Sequence, residues 1–64
     1  MTLKSFYGKQ VTVVCDNGQT FSGVVDDYFF PEDNEIGEES IILKITGSEF
    51  VEFTASEIDE IKLN

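Results

Sequence analysis

The feature that most constrains this chain is a pair of extended runs joined by a turn, with a glycine set inside the second. Val11-Thr12-Val13-Val14-Cys15 is largely β-branched, and Asp16-Asn17-Gly18 stops it. β-branched side chains are stiff in ways that suit a pleated, half-buried surface. Asn-Gly tolerates the positive φ of a hairpin loop, so the run predicts a strand ending in a tight turn. The next run, Thr20 to Phe30, sets Phe21, Gly23 and Val25 on one face. A glycine inside a strand marks sharp bending or close backbone approach, which a small barrel needs at its corner. Pro31 ends the run, since proline cannot donate to a ladder.

Further on, Ser40 to Ile45 predicts a third strand and Thr46-Gly47-Ser48 a turn. Phe50-Val51-Glu52-Phe53 predicts a fourth, with Val51 and Phe53 on one face. Between strands two and three, residues 31–39 carry Glu32, Asp33, Glu35, Glu38 and Glu39 with no basic residue, and read as a solvated loop. The tail leaves two readings open. Ser56 and Asp59 are spaced to cap a helix carrying Ile58 and Ile61. The preferred alternative is a tight turn over Thr54 to Glu57 and a last strand over Ile58 to Leu63, which completes a five-stranded barrel and covers its edges. At the N-terminus, Leu3, Phe6 and Tyr7 within residues 2–7 have helical spacing. A single turn that short draws its order only from packing, here as a lid on the barrel.

A chain of 64 residues is one domain, residues 1–64, and one this small buries only about 60% of its unfolded surface. Self-association would help it. Cys15 is its only cysteine, so no internal disulfide forms, and its place in an apolar strand reads as a small buried hydrophobe. The opening residues lack the apolar run of a secretory leader, and no segment approaches a membrane span, so a cytoplasmic location is expected. Thirteen acidic residues face four lysines, a net charge of −9, and arginine is absent. Such a surface repels phosphate backbones and anionic membranes, and offers no guanidinium for bidentate recognition.

Gly8-Lys9-x-Val11-x-Val13 followed by Gly18-x-x-Phe21-x-Gly23-x-Val25 resembles the first motif of the Sm-like (LSm) proteins. Val51-x-Phe53-Thr54-Ala55-x-Glu57-Ile58-x-x-Ile61 is similar to their second motif in its apolar spacing. The resemblance covers nearly the whole chain and implies an all-β fold, a five-stranded, strongly bent barrel, here of a divergent bacterial-type member. Other SH3-like barrels share the turn and the bent strand, and remain the alternative. The family's oligouridine site uses an Asp and an Asn after strand two, and an Arg and an Asn in the second motif. Here Asp33-Asn34 is displaced among carboxylates, Thr54 stands for the Arg, Ala55 for the motif glycine and Glu57 for the Asn. These five are degenerate RNA-site positions. The resemblance also implies that strand four of one copy pairs with strand five of the next. That would use Phe50, Val51, Glu52, Phe53, Ile58, Ile61 and Leu63.

Catalysis has little to build on. The chain has no histidine, and pairs among Asp26, Asp27, Glu32 and Asp33 read as a solvated acidic face. A calcium loop fails on ligand spacing, because counting from Asp33 puts Gly37 and Lys44 at ligand positions. Neither a cofactor nor a metal is expected. Tyr28, Phe29 and Phe30 are candidates for a partner contact, since adjacent strand residues face opposite ways. The expected role is a non-catalytic module that self-associates or binds a protein. Two alternatives are an oligomer whose Lys9, Lys44 or Lys62 sustain RNA binding, and an acidic mimic that occupies a DNA-binding protein.

Overall fold

Val11, Val13 and Cys15 are buried, while Thr12 and Val14 between them are half-exposed. This period of two makes Gln10–Cys15 the first strand, β1, of the computed structural model, which describes residues 3–64. β2 (Thr20–Phe29), β3 (Ser40–Lys44), β4 (Phe50–Thr54) and β5 (Ile58–Leu63) follow. They form one antiparallel sheet in the order β4-β3-β2-β1-β5. The tail is therefore a strand, entered through a single 3₁₀ turn at Ala55–Glu57. The Cα trace extends 27 × 23 × 21 Å. A flat sheet would be thin in one direction, so the near-equal extents mean that this one curls into a barrel-like shape around its core.

The curl is built into β2. Thr20 to Val24 pair with β1, and Val24 to Phe29 pair with β3, so one strand serves both halves of the barrel. At the crossing, a β-carbon on Gly23 would collide with the carbonyl oxygen of Lys44 and lie 2.9 Å from its carbon. Only glycine lets the two backbones meet there.

Two bulges set which side chains face inward. Val25 pairs with Leu43 but Asp27 pairs with Ile42, which leaves Asp26 as the extra residue. Val14 pairs with Glu60 and Cys15 with Ile58, which leaves Asp59 extra. Each bulge turns two successive acids to solvent and returns the next apolar residue, Tyr28 or Ile61, to the core side. The spacing of Ile58 and Ile61, which also suits a helix, is thus a bulged strand.

The β1–β2 loop differs from a two-residue Asn-Gly turn. Gly18 alone takes positive φ, +89°, and Asn17 does not. Asp16, Asn17 and Gly18 form a three-residue loop in which Gly18 N donates to Cys15 O (2.9 Å) and Cys15 N to Gln19 O (2.8 Å). Asn17 Oδ1 accepts from Gln19 N at 3.0 Å.

Leu3–Phe6 forms a 3₁₀ turn across one end of the barrel, with Leu3 and Phe6 buried. They complete a core of Val11, Val13, Cys15, Val25, Ile41, Leu43 and Phe53. Thr2, part of the expected turn, lies outside the described residues, and Tyr7 is exposed. Among the described residues, every buried side-chain polar atom has a hydrogen-bond partner. Among the described residues, no ladder joins β4 to β5. The bent sheet therefore keeps two edges, contrary to the expectation that closure would cover them.

Gly23→Ala should lower stability by about 2–3 kcal/mol through backbone displacement. Gly47→Ala, where a β-carbon meets nothing within 4 Å, should stay within about 0.5 kcal/mol. Urea midpoints at unchanged slope read both.

Candidate functional site

The β2–β3 connection and the β4–β5 turn come together at one end of the barrel. Glu38 binds them, its Oε1 accepting from Ser56 N at 2.8 Å and its Oε2 from Ser56 Oγ at 3.1 Å. Ala55 N donates to Glu39 O at 3.0 Å. The Glu39 carboxylate reaches further, with Oε1 accepting from Leu3 N (3.1 Å) and from Tyr28 Oη (2.9 Å). One carboxylate thus ties the N-terminal turn to β2 and sits on the strand-three side of the loop.

The connection is more ordered than a solvated loop. Pro31–Asp33 makes one 3₁₀ turn. Asn34 donates from Nδ2 to the Glu38 carbonyl, and its Oδ1 accepts from Gly37 N at 3.0 Å. Asn34, Glu38 and Glu39 are half-buried, whereas Glu32, Asp33 and Glu35 are exposed. The spread of acids through the segment gives no sign in the sequence of which ones turn inward, because the donors they accept from belong to distant residues.

The five positions that the resemblance set against an RNA site have other roles in the fold. Asp33 lies exposed in the 3₁₀ turn, and Asn34 holds the loop backbone. Thr54 and Glu57 bracket the second turn, where Glu57 Oε1 accepts from Thr54 N at 2.9 Å and from Thr54 Oγ1 at 3.1 Å. Ala55 is half-buried and packs against the core. The two loops are brought together, but the side chains of Asn34, Thr54 and Glu57 are each engaged within their own loop.

The edge strands divide their side chains. Val51 and Phe53 of β4 and Ile58 and Ile61 of β5 pack against the core. Phe50 is 50% exposed, Leu63 59%, and Glu52 Oε2 accepts from Ser40 Oγ at 3.0 Å. Of the aromatic trio, Tyr28 turns to the core side, Phe29 is half-buried on the opposite face and Phe30 is 43% exposed. Among the described residues, no three Cys, Asp or Glu side chains converge as they would around a metal ion.

Cys15 is buried, and its thiol is pushed up by desolvation, then by the nearby charges of Asp16 and Glu57. Tyr28 is pushed up by desolvation first, then by its hydrogen bond to Glu39 and the charges of Glu39 and Glu32. Comparison of the chain with family models, with curated proteins and with solved structures finds no match.

Both shifts favour the protonated form in the folded state. Their stabilisation is complete below the ordinary pKa values, about 8.5 for the thiol and 10 for the phenol, and fades as pH rises through the raised ones. Urea midpoints should therefore fall above about pH 9, and Tyr28→Phe should make that fall shallower. Glu38→Ala removes both acceptors for Ser56 and should cost about 1 kcal/mol. Hydrogen exchange at Ser56 N should accelerate selectively.

Proposed function

We propose that this chain is a non-catalytic barrel of Sm-like type that works by association, with further copies of itself or with a protein partner. The observation that carries the reading is the pair of open sheet edges. β4 pairs only with β3, and β5 only with β1, among the described residues. An edge presents a row of N–H and C=O groups to any strand that can add to it. Phe50 on β4 and Leu63 at the end of β5 supply exposed apolar surface beside those rows. Pairing β4 of one copy with β5 of the next is a head-to-tail contact, which closes into a ring when the rotation per copy allows. A chain this small gains stability from it. The charge of −9 and the engagement of Asn34, Thr54 and Glu57 within the fold both weigh against RNA as the partner.

Sedimentation equilibrium from about 10 µM to about 1 mM should show mass rising above the monomer with concentration. Phe50→Lys with Leu63→Lys should weaken that assembly by about tenfold or more. Monomer mass throughout the range overturns self-association.

A further inference from the structure

One pocket has no part in the association just described. It lies where the N-terminal turn meets the end of β2, is lined by Lys4, Tyr7, Asp27, Tyr28 and Phe30, and has a volume of about 300 Å³. β2 is the middle strand of the sheet, two places from either edge. The Tyr28 and Phe30 rings meet edge to face, with centroids 5.2 Å apart and planes at 86°. Tyr7 and Phe30 are 58% and 43% exposed, so both offer ring surface to solvent. The bulge at Asp26 turns Asp26 and Asp27 outward together beside them.

The pocket already accommodates a cation. Lys4 Nζ lies 5.0 Å from the centroid of the Phe30 ring. Aromatic faces carry negative partial charge and attract ammonium and guanidinium groups, more strongly as water is excluded. Three rings with an aspartate at the rim, on a chain of net charge −9, complement a positive charge carried on an apolar stem. The volume is at the small end for a ligand site, enough for one side chain.

We propose that this pocket receives a single Lys or Arg side chain from an extended basic segment of a partner protein, which displaces Lys4 from the Phe30 ring. This names a partner class for the protein-binding arm of the function proposed above and does not require self-association. Lys4 acts as an internal competitor, holding the ring face until a better-placed cation arrives.

The test is a titration of the ¹⁵N-labelled full chain with acetyl-Gly-Lys-Gly-amide and acetyl-Gly-Arg-Gly-amide, with acetyl-Gly-Gln-Gly-amide as the neutral probe. The charged peptides should shift the amides of Tyr7, Asp27, Tyr28 and Phe30, and the neutral one should not. Phe30→Ala and Tyr7→Ala should each weaken binding by about fivefold, and Lys4→Ala should tighten it by about threefold. Shifts spread equally over Glu35, Glu49 and Glu60 would reveal undirected attraction to acids and overturn the proposal. So would weaker binding by Lys4→Ala, or pocket shifts that appear on concentrating the protein without peptide, which would make a second copy the occupant. Light scattering on the same samples separates the two readings. Selective peptide binding by a monomer upholds the pocket without self-association, and assembly without peptide binding does the reverse.

Discussion

Where β2 crosses from β1 to β3, the backbone of Gly23 lies against the carbonyl of Lys44, closer than any side-chain carbon permits. That approach lets one ten-residue strand pair with β1 at one end and β3 at the other. Val11 and Val13 from one half then face Ile41 and Leu43 from the other, and all four are fully buried. Apolar burial of this kind is worth about 1.5–3 kcal/mol per side chain. In a chain of 64 residues, few such residues are available to compensate for losing any of them. The Leu3–Phe6 turn has a core to cover only because the sheet is curled.

The acidic residues fall into two groups with different work. Glu38, Glu39 and Glu57 are acceptors for backbone N–H and hydroxyl groups, and they fix the two connections and the N-terminal turn at one end of the barrel. Asp26, Asp27, Asp59 and Glu60 are exposed at the two bulges and contribute chiefly field, although Asp27 Oδ1 also accepts from Tyr28 N at 2.8 Å. The field favours cationic partners and opposes phosphate. The proposed association through the sheet edges and the proposed binding of a cation in the pocket on β2 are both compatible with it. They occupy different strands.

Much of this architecture is legible along the chain. Val11 to Cys15 alternate, Gly18 and Gly23 mark the loop and the bend, and Thr54 to Glu57 make the turn before the last strand. The bulges also leave a pattern there. Val25-Asp26-Asp27-Tyr28 and Ile58-Asp59-Glu60-Ile61 both set two acids between residues that face the core. An unbroken strand would bury one acid of each pair, and a bulge avoids that cost. Read locally, the same spacing equally suits a helix. Local order therefore leaves the tail ambiguous, and the ladder that β1 supplies makes it a strand.

What the residue order determined by itself is the first four strands, the places of the turns and the place of the bend, because periodicity, β-branching and glycine act within a few neighbours. The tertiary structure alone decided that Glu38 caps Ser56, that Glu39 joins Leu3 to Tyr28, and that Lys4 comes to rest over Phe30. It also decided that the sheet, though curled, leaves β4 and β5 open. Those contacts join residues 11 to 36 positions apart. A carboxylate or an ammonium has no local preference that reveals its partner, and only the curling of the sheet brings the partners within reach.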